Sequence, residues 1–552
     1  MANIAAYFAQ HLATPDRLLY RRYADATWSD VSVGELAALV GRWQAALESL
    51  RFEPGDRIAI CLRNSVEWVA LDLAALGLGA VVVPLYVDDN PDNVAWCASN
   101  AEARALVVEN TRLGQALAAT GASLPALYVL RPDAGDRLAP ASALLPAAAG
   151  APRFVELPDD ALATICYTSG TSGRPKGVML SHGNIIANVT SCRQTGMAHQ
   201  DDVFLSILPL SHMFERTGGY YLPLSLGARV VFSRGVALLA DDLAAQSPTV
   251  IFAVPRIFEK FLARIAQALA ASPARRWLFE QCATRGWRVE QGRAGWLDAL
   301  AVPWLRKRVA TPILARLGGR LRVAIVGGAA LDPLVSHVFI GLGLPMLQGY
   351  GMTEASPVIS VNQPGDNDPE SVGPPLPGVE VKIAETGELL CRGGNVMQGY
   401  WRNPEATRAA IDADRWLRTG DLARIRDGRI YIGGRLKDIM VMSNGEKFSP
   451  QDAELALLHD PTFEQVLLVG EGRPFLTLLA VTGETDEKAL VRRANELLKD
   501  FPRWVRVRRA IATSDAWTVD NGLLTPTLKL RRPLVLARYQ PHIDAVYAAD
   551  AS

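Results

Sequence analysis

The chain has 552 residues, with 49% apolar and 21% charged residues, a balance typical of globular proteins rather than disordered ones. Because this length exceeds one ordinary hydrophobic core, we expect two or more domains. Its 57 basic and 57 acidic residues cancel, which excludes a bulk electrostatic attraction to nucleic acid. The six cysteines form no CxxC pair, so we expect reduced, mostly buried thiols in a cytoplasmic protein.

Helical and strand patterns alternate through the N-terminal part of the chain. The helical segments are 33–50 and 65–78, and the short apolar runs typical of buried strands are 57–62, 80–85 and 105–108. This alternation predicts an α/β fold with a doubly wound, parallel or mixed sheet. The stretch 117–150, rich in Ala, Leu, Pro and Gly, is predicted to be a surface excursion. No signal peptide or membrane span is predicted, because the N-terminus lacks a basic region and the apolar run 70–87 contains a charge and a proline.

A loop of small and hydroxyl residues follows the apolar run 163–167, which is predicted to be a buried strand. The loop consists of Thr168, Ser169, Gly170, Thr171, Ser172 and Gly173 and leads to Lys176. Glycines let successive N–H groups turn toward one anion, the hydroxyls add donors, and the lysine adds a positive charge. The loop is not a Walker A loop, because its lysine lies between Pro175 and Gly177. This composition predicts a polyphosphate-binding loop.

Beyond the loop, four apolar runs predict further buried strands, at 204–208, 230–232, 250–254 and 322–326. The pattern turns helical between residues 268 and 317, where tryptophans are interleaved with arginines. Such a segment can be an interfacial membrane surface, or a set of helices packed on the body with a solvated basic face. The sequence leaves both interpretations open.

The segment 167–178, Tyr-Thr-Ser-Gly-Thr-Ser-Gly-Arg-Pro-Lys-Gly-Val, resembles the signature of the adenylate-forming (AMP-binding) enzymes. This superfamily includes acyl-CoA synthetases, the adenylation domains of peptide synthetases and firefly luciferase. The resemblance extends over nearly the whole chain, with further motifs in the expected order. The wording of segments 213–216, 254–260 and 443–447 is similar to the long-chain fatty acyl-CoA synthetase branch.

The resemblance implies a two-domain architecture. Residues 1–436 would form a large N-terminal domain of doubly wound mixed or parallel sheets, with the ATP and acyl pockets. Residues 437–552 would form a small mobile α+β domain that carries a catalytic lysine, Lys529. Lys437 would be the hinge between the two domains.

The resemblance also implies which residues bind ATP and AMP. Besides the loop 168–173 and Lys176, they are Gly328, Ala329, Gln348, Gly349, Tyr350, Gly351, Thr353, Asp421, Arg435 and Lys529. The chemistry of single residues agrees, because Glu354 offers the hard oxygen ligand that Mg²⁺ takes alongside phosphates, and Asp421 offers a carboxylate that suits ribose hydroxyls. Thr168 and Glu354 are the implied metal ligands, and they form the implied catalytic set with Lys176 and Lys529.

Two further groups of residues are implied to bind the other substrates. The acyl pocket would be lined by His212, Met213, Phe214, Gly218 and Tyr350, and the CoA side by Ser443, Asn444, Gly445, Glu446 and Lys447. From spacing alone, His212 would instead be a core residue, and only the resemblance favours pocket lining.

These observations predict ATP-dependent activation of a medium- to long-chain fatty acid to acyl-AMP with release of pyrophosphate, followed by transfer to CoA. Mg²⁺ is the expected cofactor, with ATP and CoA as co-substrates and no nucleic acid partner. One alternative acceptor is a separate acyl carrier protein, since no carrier domain is expected after Lys529. A non-catalytic nucleotide-binding regulator is a second alternative, but the implied catalytic charges are intact. The expected location is the cytoplasm, with peripheral contact at the inner face of a membrane under the first interpretation of residues 268–317.

Overall fold

The structure is a computed structural model. It describes residues 3–168, 174–443, 446–518, 521–524 and 530–549, without the side chains of residues 447 and 549. Eight residues implied to bind substrates lie outside the described residues: Ser169, Gly170, Thr171, Ser172, Gly173, Asn444, Gly445 and Lys529.

The first part of the chain contains most of one sheet and its helices. Its elements are α1 (Ala6–Ala9), β1 (Leu18–Ala24), β2 (Thr27–Ser32), α2 (Val33–Ser49), β3 (Arg57–Cys61), α3 (Val66–Gly77), β4 (Val81–Pro84), α4 (Pro91–Asn100), β5 (Ala105–Asn110), α5 (Thr111–Ala118), β6 (Ala126–Arg131), β7 (Ala139–Pro140), β8 (Leu162–Thr168), β9 (Lys176–Ser181) and α6 (His182–Gln194).

The middle of the chain contains most of a second sheet and its helices. Its elements are β10 (Val203–Ser206), α7 (Met213–Glu215), a π-helical segment (Arg216–Tyr221), α8 (Leu222–Leu226), β11 (Arg229–Phe232), α9 (Leu239–Gln246), β12 (Val250–Ala253), α10 (Pro255–Leu269), α11 (Pro273–Glu290), α12 (Trp296–Leu305), α13 (Thr311–Ala315), β13 (Val323–Val326), α14 (Pro333–Leu342), β14 (Met346–Gly351) and β15 (Val358–Val361).

The last part of the chain is an α+β arrangement of shorter elements. They are β16 (Val379–Ile383), β17 (Glu388–Gly393), β18 (Gly399–Tyr400), α15 (Pro404–Ala410), β19 (Leu417–Arg426), β20 (Arg429–Arg435), β21 (Met440–Val441), β22 (Lys447–Phe448), α16 (Pro450–Leu457), β23 (Gln465–Val469), β24 (Leu476–Val481), α17 (Glu487–Leu497), β25 (Val507–Thr513) and α18 (Arg532–Ala549).

Two eight-stranded mixed sheets form the large domain among the described residues. Their strand orders are β18-β9-β8-β4-β3-β5-β6-β7 and β15-β14-β13-β12-β10-β11-β1-β2. The inner strands pair mainly in parallel, whereas β9, β15, β18 and β2 add antiparallel pairs at the edges. An antiparallel sheet β16-β17-β19-β20 follows, and the smaller domain holds the sheet β23-β24-β25. The predicted α/β fold class, with a smaller α+β domain, is confirmed.

Local sequence explains how the first helices begin. Ser32 and Glu35 form a capping box at the start of α2, and the Ser65 side chain accepts a hydrogen bond from the Trp68 N–H at the start of α3. The two helices pack against each other, and their apolar side chains belong to the main hydrophobic core, with Trp43 and Trp68 at 1% and 0% exposure. All six cysteines are buried free thiols, as predicted.

One prediction for this region is wrong in part. Within the stretch expected to be a surface excursion, β6 pairs in parallel with β5 and extends the sheet. Only Val129 of this strand is buried, because the strand lies near the sheet edge. An edge strand with one buried side chain leaves too weak an apolar pattern to be recognised.

Candidate active site

The candidate site lies where several neighbouring strands of the second sheet end. Strands β10, β12, β13 and β14 run in parallel, so the segments that follow them meet at one edge. Those segments carry His212, Gly327, Gly328 and Glu354. A crevice beyond the carboxyl ends of parallel strands is the usual ligand position in open α/β sheets.

The predicted phosphate loop joins two antiparallel strands. Thr168, the last residue of β8, is paired with Lys176, the first residue of β9. The Thr168 hydroxyl donates to the Lys176 carbonyl oxygen at 3.5 Å. The ends of the loop are therefore held side by side, with the hydroxyl and the ammonium at the same end of the hairpin.

A tyrosine that was not predicted connects the loop to Glu354. The Tyr400 hydroxyl donates to Glu354 Oε1 at 2.8 Å, and the Lys176 ammonium lies 5.1 Å from the centroid of the Tyr400 ring. Burial raises the pKa of Tyr400 and the neighbouring Glu354 carboxylate adds to the rise, so this hydroxyl remains a donor. The cluster brings together a lysine, a carboxylate and a hydroxyl from three separate parts of the sequence.

A second carboxylate cluster forms on the β19–β20 pair. Asp421 is paired in register with Arg435, and the Arg435 Nε lies 3.2 Å from Asp421 Oδ1. The Tyr350 hydroxyl donates to Asp421 Oδ2 at 2.5 Å. Burial raises the pKa of Tyr350 and the Asp421 charge adds to the rise, so the tyrosine stays protonated. The three predicted residues meet and present one carboxylate with one cation, which suits a pair of vicinal hydroxyls.

Glycines make room for close backbone approach around these clusters. A Cβ on Gly351 would lie 1.9 Å from the Pro357 carbonyl oxygen, and Gly328 has a φ of +83°. Gly328 and Ala329 are exposed, whereas Gln348 and Glu354 are buried. Gly349 is paired with Val361 across the strand pair, and Thr353 begins a short 3₁₀ turn that positions Glu354. These residues form an open surface of mostly small side chains beside the carboxylates of Glu354 and Asp421.

An aromatic cluster occupies the predicted acyl pocket. The Phe214 ring lies edge-on to Phe252 with centroids 5.5 Å apart, and a Cβ on Gly218 would lie 2.3 Å from the Phe252 ring. A Cβ on Gly327 would lie 3.1 Å from Phe214, so that ring covers the turn after β13. Phe252 was not predicted, because a phenylalanine inside an apolar strand gives no functional signal.

Two other predicted pocket residues have different surroundings. Met213 is 1% exposed and packs in the main hydrophobic core. The His212 Nδ1 accepts a hydrogen bond from the Phe214 N–H at 3.2 Å and caps the short helix α7. This ring nitrogen is therefore unprotonated, which agrees with a lining role for His212 and not with acid–base catalysis at Nδ1.

A buried ion pair supports this part of the domain from behind. Arg216 and Asp72 are fully buried and paired, and the Tyr220 and Tyr221 hydroxyls donate to Asp72 Oδ2 at 3.1 and 3.0 Å. Although burial opposes it, the Asp72 carboxylate raises the pKa of Arg216. Next to Arg216, burial raises the pKa of Glu215 to about 8, which favours the neutral form of this carboxyl. The π-helical segment from Arg216 to Tyr221 is a local irregularity of the kind often found beside functional sites.

The predicted hinge and CoA-side residues lie at the start of the smaller domain. Lys437 is exposed in a short 3₁₀ turn, and Ser443 and Glu446 are also exposed. The Lys447 backbone belongs to β22, which pairs with β21. On the other side, the His459 Nε2 lies 2.5 Å from Asp332 Oδ2 of the large domain.

The residues that flank Lys529 are firmly held. Leu524 and Leu530 form an antiparallel bridge, and the Arg531 N–H donates to the Leu523 carbonyl oxygen at 2.9 Å. The Arg532 Nη2 donates to both carboxylate oxygens of Glu454, with N–O distances of 2.6 and 2.7 Å. The described residues on either side of Lys529 are thus anchored to the smaller domain.

The donors agree with a Mg²⁺ ion that arrives with a polyphosphate. Within the ranges that the structure describes, no group of three or more His, Cys, Asp or Glu side chains could hold a metal ion. Mg²⁺ typically takes only one or two carboxylates and obtains its other oxygens from phosphates and water. Glu354, which Tyr400 connects to Lys176 and so to the strand partner Thr168, fits that arrangement.

Comparisons with known proteins agree with this geometry. The sequence pattern of the AMP-binding enzymes matches residues 8–401, and that of the AMP-binding enzyme C-terminal domain matches residues 437–551. The chain belongs to the AMP-binding enzyme family.

Individual relatives are similar over most of their length. The chain is 32% identical to the long-chain-fatty-acid–CoA ligase FadD15 of Mycobacterium bovis, over 99% of this chain and 97% of that protein. It is 28% identical to the long-chain-fatty-acid–[acyl-carrier-protein] ligase AEE15 of Arabidopsis thaliana, over 91% of this chain and 80% of that protein. The crystal structure of ATP-bound MatB from Rhodopseudomonas palustris is similar with a TM-score of 0.76 and 25% identity, over 98% of this chain and 99% of MatB.

Proposed function

We propose that this protein activates a medium- to long-chain fatty acid with ATP to acyl-AMP and pyrophosphate, and then transfers the acyl group to CoA. The observation that carries the proposal is the convergence of Lys176, Tyr400 and Glu354 beside the Tyr350–Asp421–Arg435 cluster. One cluster suits phosphates and the other suits ribose. The name of the FadD15 relative supports the acyl substrate and the acceptor.

In the first step, a carboxylate oxygen of the fatty acid attacks the α-phosphorus of ATP. A carbon–oxygen–phosphorus linkage forms, the bond to the β-phosphate oxygen breaks, and pyrophosphate leaves with the electron pair. Two anions must approach each other, so positive charge and alignment account for most of the catalysis. We assign restraint of the β- and γ-phosphates to Lys176 and the loop 168–173, and ribose binding to Asp421 and Arg435.

Glu354 and Thr168 would hold Mg²⁺, which when bound neutralises phosphate charge. Tyr400 orients the Glu354 carboxylate by its hydrogen bond and places its ring against Lys176. We assign stabilisation of the charge that grows between the carboxylate and the α-phosphate to Lys529. Gly328 and Ala329, with Gln348, Gly349 and Gly351, would form the surface on which adenine lies.

In the second step, the thiol sulfur of CoA attacks the acyl carbon. The carbon–sulfur bond forms, the bond to the AMP phosphate oxygen breaks, and the thiol proton passes to solvent. We propose that the smaller domain, from Lys437 onward, rotates between the steps, so that Lys529 withdraws and segment 443–447 faces CoA. The His459–Asp332 contact would then belong to only one of the two orientations.

We assign the acyl chain to the space bordered by Phe214, Gly218 and Tyr350, with His212 at its rim. Phe252 would form the floor, because its ring already fills the space above Gly218 and contacts Phe214. The apolar lining favours a hydrocarbon chain over an amino acid.

Replacement of Lys529 by alanine should separate the two steps. We expect pyrophosphate release to fall by about 10²- to 10³-fold, because one preorganised charge at the α-phosphate is lost. Thioester formation from supplied acyl-AMP should remain largely intact. A stopped-flow assay of each half-reaction measures both rates, and an equal loss in the two would contradict the assigned role.

Replacement of Lys437 by proline should slow the second step, which is transfer of the acyl group to CoA. A fixed φ restricts rotation about this position, so we expect thioester formation to slow by about tenfold or more while adenylation is retained. The matched control is Lys437→Ala, which removes the charge but leaves the backbone free. If alanine slows the reaction as much as proline does, the hinge assignment is wrong.

The direct test of the proposed function is pyrophosphate release with Mg²⁺-ATP and fatty acids from acetate to oleate, with and without CoA. We expect turnover that requires CoA and peaks at medium to long chains. A single burst that CoA does not convert to turnover would favour the second candidate, transfer to an acyl carrier protein, for which the AEE15 relative is the supporting observation. Nucleotide binding without any pyrophosphate release would overturn catalysis altogether.

We also propose that this enzyme makes peripheral contact with the inner face of a membrane through residues 268–317. Within the described residues, no helix is both long and apolar enough to cross a bilayer, so the contact would be a surface one. Exposed tryptophans in this region support it, because tryptophan side chains favour the boundary between water and lipid.

A further inference from the structure

Exposed apolar side chains are concentrated on one helical hairpin. Among the described residues, seven large apolar side chains are more than half exposed, and five of them lie on α11 and α12: Trp277, Trp296, Leu297, Leu300 and Trp304. Trp296 and Leu300 are the most exposed of these seven, at 72% and 71%. Such a concentration marks an interaction surface rather than scattered surface residues.

The polarity of α12 is the reverse of that of an ordinary surface helix. Its one charged residue, Asp298, is buried and pairs with Arg285 and Arg288 of α11, each at 3.3 Å. Trp296, Leu300 and Trp304 follow at intervals of four, so they share one face of the helix, and that face is exposed. The fold therefore holds α12 by its acidic side and presents its apolar side outward.

The surroundings of this apolar face are strongly basic. Residues 268–317 contain nine basic and three acidic residues, whereas the whole chain is neutral. Each acidic residue pairs with an arginine of the same segment, since Glu280 contacts Arg276 and Glu290 contacts Arg306 in addition to the Asp298 pairs. Further basic side chains are exposed on the hairpin and just beyond α12: Arg275, Arg293, Lys307 and Arg308.

We propose that the outward face of α12, formed by Trp296, Leu297, Leu300 and Trp304, docks on an anionic lipid bilayer. The helix has ten residues and is about 15 Å long, so it would lie in the plane of the boundary and not cross it. Its apolar side chains enter the region between headgroups and acyl chains, and the exposed arginines and lysine contact lipid phosphates. This inference extends the proposed function. It rests on that function in one respect only, which is the purpose of docking: the enzyme would take its fatty acid from the bilayer.

Charge distinguishes lipid from a second copy of this chain. A symmetric dimer through this face would oppose two segments that each carry six excess positive charges, so like charges would repel. An anionic bilayer instead supplies the complementary charge and an apolar layer together. The excess of basic residues and the exposed tryptophans are both accounted for by this one partner.

The test is co-sedimentation of the full chain with vesicles of phosphatidylcholine alone and of phosphatidylcholine mixed with phosphatidylglycerol. We expect binding to the anionic vesicles that weakens with salt, and a loss of about 10- to 100-fold in affinity for Leu300→Ser. The matched control is Val236→Ser, another highly exposed apolar residue away from the hairpin, which should bind like the wild type. Thermal midpoints and pyrophosphate release with a short soluble acid should be unchanged in both variants.

Several results would overturn the proposal. One is that the protein does not bind anionic vesicles at low salt. Another is that Leu300→Ser binds the vesicles as well as the wild type does. A third is that the protein forms a dimer without lipid and that Leu300→Ser abolishes this dimer. The last result would identify a second copy as the partner. Vesicle binding is measured without ATP, so it does not depend on turnover. If the protein binds vesicles but releases no pyrophosphate in the separate activity assay, the proposed function is rejected and the docking surface stands.

Discussion

Replacing Glu354 by glutamine is expected to slow pyrophosphate release by about 10²- to 10³-fold. Glutamine preserves the shape of the side chain and can still accept the Tyr400 hydroxyl, which lies 2.8 Å from Oε1. It removes the negative charge that we assign to Mg²⁺ binding. The rate should therefore require a higher Mg²⁺ concentration, and a titration of initial rate against Mg²⁺ at fixed ATP measures this shift.

The matched control is Tyr400→Phe, which removes the hydrogen bond to Glu354 and keeps the aromatic ring against Lys176. A single hydrogen bond contributes about 1 kcal/mol, so we expect a loss of roughly fivefold. An unchanged rate and an unchanged Mg²⁺ dependence for Glu354→Gln would show that this carboxylate holds no metal. Equal losses in the two variants would instead indicate that Glu354 acts only through the position of Tyr400.

Replacing Arg216 by methionine is expected to lower the free energy of unfolding of the large domain by about 3–5 kcal/mol. The guanidinium is fully buried beside Asp72 and stacks within 5.2 Å of the Trp68 ring. Without it, a buried carboxylate keeps only the hydroxyls of Tyr220 and Tyr221. Urea unfolding followed by the fluorescence of the buried tryptophans measures the change.

The double variant Asp72→Leu/Arg216→Met tests the cause of that loss. It leaves no isolated charge in the core, so most of the lost stability should return, as is common when a buried ion pair is replaced by apolar side chains. If the double variant were as unstable as Arg216→Met, the destabilisation would come from lost packing. Because Arg216, Tyr220 and Tyr221 belong to the π-helical segment, chain-length preference is worth recording for both variants.

The sequence predicted the candidate site best where one motif carries one function. The strand before the phosphate loop, the turn that carries Glu354 and the Asp421–Arg435 pair all lie where local patterns indicate. A buried strand needs a run of apolar residues, and a backbone turn needs glycine, so both leave a local record.

Residues without a motif could not be found in this way. Tyr400 and Phe252 are ordinary aromatic residues in sequence, and each acquires its place from a partner far along the chain. Met213 shows the converse, because it lies inside a recognisable motif but is buried in the core. The strand β6 escaped notice because a half-exposed edge strand has no strong apolar pattern.

The sequence by itself determined the α/β class and most of the buried strands, and it predicted the phosphate loop and the acidic residues of the candidate site. Tertiary structure alone decided that Tyr400 connects Glu354 with Lys176, that Asp72 receives Arg216, and that α12 presents its apolar face outward. The physical reason is the distance along the chain over which each kind of interaction acts. Periodicity and turn chemistry act between neighbours in the chain, whereas a hydrogen bond, a buried ion pair or the exposed face of a helix depends on which distant elements pack against each other.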